Sequence, residues 1–173
     1  MKKIIYTLLL SVFLFSFASC NKDDEEVDTQ KPEIDITVEE AFPLNGSQLY
    51  FGEDFTIKML LKDNQELGSY SIEIHSNFDH HSHSTEESEE NHHEEHEHHH
   101  EEGEDGDAFY FSQDFSIPSG QREYLLNQKI SIPEKSSDGD EFAAGDYHFM
   151  ITVTDKAGFS SFKAMEIEIK NKD

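Results

Sequence analysis

The sequence predicts an all-β domain, an antiparallel sandwich of about seven strands with one long polar loop. Two observations lead there. Apolar and polar residues alternate in short runs from Glu33 to Lys170, and helical spacing of apolar residues appears nowhere at useful length. A third sets the loop apart: one segment rich in His and acids, without Lys or Arg, interrupts the runs. The 173 residues are 35% hydrophobic and 12% aromatic with no Trp, which suits one domain with a modest core.

The chain opens MKKIIYTLLLSVFLFSFASC. Lys2 and Lys3 give a basic start, Ile4 to Phe17 are apolar, and Ala18 and Ser19 are small residues before Cys20. The apolar run is about 14 residues, shorter than the roughly 20 that a membrane-spanning helix needs. Residues 1–19 therefore read as a secretion signal, to be left out of fold reasoning. Cys20 is the only cysteine, so no disulfide can form within the chain. Residues 20–32 are charged and aperiodic, the texture of a flexible tether.

Thirteen Lys and Arg against 38 Asp and Glu give a net charge of −25. Loss of residues 1–19 would remove two lysines and no acid, leaving 11 − 38 = −27. Nucleic acid is excluded as a partner, because its phosphates need basic patches. Cations are the natural partners of such a surface.

The domain is expected over residues 33–171. EIDITVEE alternates Ile34, Ile36 and Val38 against Asp35 and Thr37. EDFTIKMLLKD puts Phe55, Ile57, Met59 and Leu61 on one face. SYSIEIHSNF turns Tyr70, Ile72, Ile74 and Phe78 inward, with Glu73, His75 and Asn77 outward. DAFYFSQDFSI buries Phe109, Phe111, Phe115 and Ile117, and LLNQKISI buries Leu126, Ile130 and Ile132. Near the end, Tyr147, Phe149, Ile151 and Val153 face inward on one strand, and Met165, Ile167 and Ile169 on the next. A turn at Asp155-Lys156-Ala157-Gly158 joins these two, with Gly158 able to take a positive backbone angle.

Ten of the 11 histidines fall between His75 and His100. The insert proper, residues 79–107, holds 13 acids and nine histidines and joins the third expected strand to the fourth. Without apolar content it cannot bury enough surface to order itself, so it is expected to be a disordered loop. Imidazole and carboxylate together suit Zn(II), Ni(II), Cu(II) or Co(II). Carboxylate neighbours favour the protonated imidazole, so uptake is expected to weaken below about pH 6.

Two kinds of site separate. The distal histidines His92, His93, His96, His98, His99 and His100 offer many interchangeable ligands and so weak binding of several ions. They resemble the His-rich collecting loops of zinc transporters. The proximal group is His75 on a strand, followed by Asp79, His80, His81 and His83. His148, outward on its strand, is expected to lie beside His75 across a strand pair, within about 5 to 8 Å. His75, His148, Asp79 and one of His80 or His83 would make four ligands. The opposing reading is two exposed histidines on a solvated sheet face.

The residues also carry resemblances. Cys20 after small residues at the end of an apolar signal resembles the lipidation site of bacterial lipoproteins, although Phe17 stands where that pattern has Leu. Lys22-Asp23-Asp24 resembles the acidic tag that sends Bacteroidota lipoproteins to the outer face of the outer membrane. The strand rhythm and the Gly145-Asp146-Tyr147 strand followed by TDKAG resemble bacterial immunoglobulin-like modules. The antibody Cys pair and core Trp are absent. SYSIEIHSNFDHHSH, the insert and AAGDYHFMITVTDKAGF together resemble an uncharacterised immunoglobulin-like lipoprotein family of the Bacteroidota, over roughly residues 33–170. That resemblance implies a fold and an outer-membrane address facing the cell exterior, and no activity.

Signatures of nucleophilic and phosphoryl-transfer catalysis are missing: there is no GxSxG or P-loop, and no organic cofactor is implied. SSDGDEF and EDGD lack the spacing of a calcium loop and read as polar turns. The chain is thus expected to be non-enzymatic. It would collect zinc-like cations at the surface and pass them to an outer-membrane importer or surface complex. The alternative is an adhesion or assembly module, binding a protein or glycan through exposed aromatics such as Tyr50, Phe51 and Tyr110, with the loop as a charged spacer.

Overall fold

The computed structural model describes residues 27–78 and 107–172, and every regular element in them is a strand. In chain order these are β1 (Glu33–Asp35), β2 (Ser47–Tyr50), β3 (Asp54–Lys62), β4 (Leu67–Ser76), β5 (Phe111–Ser116), β6 (Glu123–Ser131), β7 (Gly145–Asp155) and β8 (Ser160–Lys170). They form a three-stranded sheet, β1-β3-β6, and a five-stranded sheet, β2-β8-β7-β4-β5. This is a β-sandwich, divided between its sheets in the immunoglobulin-like manner.

The alternation read from the sequence is the alternation that packs. Phe55, Ile57, Met59 and Leu61 of β3, Tyr70, Ile72 and Ile74 of β4, and Tyr147, Phe149, Ile151 and Val153 of β7 are all buried in one core. Burying such side chains contributes roughly 1.5–3 kcal/mol each before chain entropy is subtracted. Phe111 and Phe115 are only half-buried, because β5 is the edge strand of its sheet. Phe115 compensates by stacking on Tyr70 at 4.8 Å.

Tyr147 closes one corner. Its hydroxyl donates to the carbonyl of Ala143 at 2.7 Å and accepts from the amide of Phe109 at 3.2 Å. A tyrosine near the start of this strand, bonded back to the backbone a few residues upstream, is a hallmark of immunoglobulin-like domains. Gly145, at φ 151°, leaves the space that Phe78 fills: a Cβ there would meet the ring at 3.0 Å. Phe78 in turn packs edge-on against Tyr147 at 5.4 Å.

Four expectations are corrected. The strand count is eight, and one pair, β2 with β8, is parallel. β2 has four residues with only Leu49 buried, too short for alternation to announce itself. β1 stops at Asp35 because that carboxylate accepts from both the amide and the hydroxyl of Thr37, at 2.9 and 2.6 Å, and the chain bends away. Phe51 is not a surface aromatic but 2% exposed, stacked on Phe142 at 5.2 Å. Its amide donates to Lys170 and that of Gly52 to Ile132, both at 3.0 Å, and these bonds hold Phe51 over the core as the chain leaves β2. Asn77, expected to face outward, is 4% exposed, since its amide donates to Asp146 at 2.8 Å and draws it against β7.

Candidate metal centre

β4 and β7 are antiparallel neighbours, and their register sets His75 directly opposite His148. The expected cross-strand pair is therefore present. The two rings stand edge to face, centroids 5.4 Å apart and planes at 76°. His148 also lies opposite Glu166 of β8, so one carboxylate-bearing position borders the pair on its far side.

Burial departs from the expectation for His148. It belongs to the outward-facing set of β7, alternating with Tyr147 and Phe149, yet it is only 2% exposed. The reading of two solvated histidines on an open face does not hold for it. His75 keeps 18% of its side chain exposed.

Glu73 orients the more accessible ring. Its Oε1 lies 2.9 Å from His75 Nδ1, two residues along β4 on the same face. An ionised carboxylate only accepts, so this contact places a ring proton on Nδ1, and in the neutral ring the lone pair is then on Nε2. A carboxylate holding the non-ligating nitrogen is the usual support of a metal-binding imidazole.

The remaining expected ligands, Asp79, His80, His81, His83, His92, His93, His96, His98, His99 and His100, lie outside the described residues, as does Cys20. The segment carrying the histidines follows β4 in the sequence, beyond Ser76, and the described residues resume at Asp107, which bridges to Phe142. Asp107 accepts at its carbonyl from the amide of Ala143 at 3.0 Å, so it belongs to the folded domain and not to the insert. Among the described residues the His pair does not gather a third ligand into a closed group.

Over residues 18–170 the sequence matches the model of a protein family described as a domain of unknown function, DUF4625. The chain belongs to that family. The DUF4625 match takes in all of residues 20–32 and the whole His-rich segment as well as the strands, and its description assigns no activity. No curated protein matches the chain. Among the described residues no helix is long and apolar enough to cross a membrane.

Sequence reasoning missed one cluster. Asp28, Asp63 and Asp155 meet at the opposite end of β4 and β7 from the His pair. Each comes from a different stretch of chain, and each has a local reason to be an Asp at a turn. No sequence spacing could have joined them. SSDGDEF, by contrast, is the polar turn it was read as: Gly139 donates to Ser136 at 3.1 Å and Ser136 to Asp140 at 2.9 Å.

Proposed function

We propose that this DUF4625 protein is a lipid-anchored outer-membrane protein, facing the cell exterior, that captures divalent transition-metal cations of the zinc class. The observation that carries the reading is the cross-strand pair of His75 and His148, set at the end of β4 from which the His-rich segment departs. Ligands placed by paired strands lose less freedom on binding than ligands on a charged loop, so the tighter site belongs here. His80, His81 and His83 follow Ser76 within a few residues and complete the coordination, together with Asp79. His92 to His100 form the weaker, collecting set.

In this reading the lipid on Cys20 holds the domain at the membrane and the stem of residues 20–32 lifts it clear. Zn(II) fits imidazole and carboxylate donors best, with Ni(II), Cu(II) and Co(II) as competitors. Cations gathered by the loop pass to the strand-anchored site and then to an importer. No catalytic role is assigned to any residue.

Isothermal titration of the full chain with Zn(II) tests this. A tight phase lost in both His148→Ala and His75→Ala, with the weak phase retained, is the expected result. Replacing the six distal histidines should do the reverse. A single weak class that neither strand variant changes would overturn the anchored site, and absence of zinc binding would leave the adhesion reading in its place.

A further inference from the structure

We infer that Asp28, Asp63 and Asp155 form an oxygen-ligand site for Ca(II) that fastens the stem to the sandwich. One carboxylate oxygen of each lies within 4.8 Å of the other two. Two oxygens bound to one ion at about 2.4 Å can be at most about 4.8 Å apart, so the cluster is the size of a calcium shell.

The decisive observation is what two of these carboxylates lack. Asp155 is 4% exposed, and its Oδ2 is buried with no hydrogen-bond partner. Asp63 Oδ2 is likewise buried and unpartnered. A carboxylate oxygen can only accept, and one shut away from water without a donor calls for a cation. The other oxygen of each is fully used. Asp155 Oδ1 accepts from the amides of Gly158 and Phe159 at 2.7 and 2.9 Å. Asp63 Oδ1 accepts from the amides of Gln65 and Glu66 at 2.8 and 2.7 Å. These bonds fix both side chains and leave each Oδ2 as the oxygen still able to take a cation.

Asp28 supplies the third side from the stem. It is 8% exposed, and its Oδ1 accepts from Asn64 Nδ2 and from the amide of Gln30, each at 3.1 Å. Asp28 also borders a groove with Gln30, Asn64, Gln65 and Glu66, which offers further oxygens and access for water; Arg122 and Lys156 line the same groove. The donors are all oxygen, with no imidazole or thiolate, which selects a hard cation over zinc. Mg(II) demands a strict octahedron and gives up its waters reluctantly, so it suits a cluster of protein carboxylates less well.

The consequence is mechanical. Asp63 lies in the β3–β4 turn and Asp155 is the last residue of β7, whereas Asp28 precedes β1. An ion shared by all three ties the last part of the stem to the body of the domain. The site is separate from the histidines: Asp155 ends β7, seven residues from His148, or about 23 Å along an extended strand.

The test is calorimetric titration of the full chain with CaCl2, paired with hydrogen exchange of residues 27–32 in CaCl2 and in EGTA. The expected result is one calcium ion bound above the weak background of the acidic insert. Asp28→Asn and Asp63→Asn should each weaken it tenfold or more, and His148→Ala should leave it unchanged. Exchange at residues 27–32 should slow in calcium in the wild type and not in Asp63→Asn. Asp28 lies outside the strands, so its variant decides even where Asp155→Asn fails to fold. Equal calcium affinity in wild type and both variants, or exchange indifferent to calcium, would overturn the proposal.

Discussion

Tyr147→Phe removes one oxygen and keeps the ring, so it isolates what the corner hydroxyl contributes. Two backbone groups then lose their partner inside the protein: the Ala143 carbonyl, at 2.7 Å, and the Phe109 amide, at 3.2 Å. Each buried group left unsatisfied costs roughly 1–3 kcal/mol, which puts the variant about 2–6 kcal/mol below wild type. The packing of Tyr147 against Phe51 and Phe78 should survive, since those contacts are made by the ring. At about 2–4 °C per kcal/mol for a chain of this length, the midpoint should fall by about 4–24 °C. The hydroxyl also carries a pH signature. Burial pushes it up to about 12, above the ordinary tyrosine value near 10. A group raised on folding stabilises fully below its unfolded value and loses that contribution as pH climbs through the folded one. Wild type should therefore lose stability between about pH 10 and 12, and Tyr147→Phe should lose less over that window. Urea melts of both proteins at neutral and alkaline pH measure this. A cost below about 0.5 kcal/mol at neutral pH would refute the argument that the hydroxyl satisfies two otherwise orphaned groups.

Asp35 is held well below the usual carboxylate range, first by the hydrogen bond from Lys62 and then by those from Thr37. Its contribution is complete above about pH 4 and fades as pH falls further, so acid titration of Asp35→Asn should show a shallower loss of stability than wild type. Deleting residues 80–106 should leave a single cooperative thermal transition, because the core is made of strands on either side of the insert; a broad or absent transition would contradict this. Cys20→Ala should release the protein from membranes into the soluble fraction, and continued sedimentation with membranes would defeat the lipoprotein proposal.

Most of the sandwich was legible because its strands are half-buried and period-two. Ile57, Met59 and Leu61 could be placed in the core from their spacing alone, and so could Tyr147 to Val153. The pairing of His75 with His148 was legible for the same reason, since alternation and strand order together set their register. Burial of His148 was not, because alternation tells which face a residue occupies and not what covers that face. β2 escaped notice with a single inward residue, Leu49, and Phe51 passed for a surface aromatic because it falls where the alternation ends. The acidic cluster was hidden differently. Asp28, Asp63 and Asp155 each accept from backbone amides two to four residues away, which is what an Asp in a turn ordinarily does. Only the fold shows that the three carboxyl groups meet, and that Asp63 and Asp155 each keep a buried oxygen without a partner.

The claim at the centre of this account is that the first zinc ion goes to paired strands and not to the loop. Imidazole nitrogen NMR of the full chain, followed through the first equivalent of Zn(II), tests it most directly. The account predicts that His75 and His148 signals shift together at that equivalent, with His75 ligating through Nε2 and keeping its Nδ1 proton against Glu73. The signals of His92 to His100 should move only as further zinc is added. Shifts confined to His92 to His100 at the first equivalent, with His75 and His148 unmoved, would contradict it.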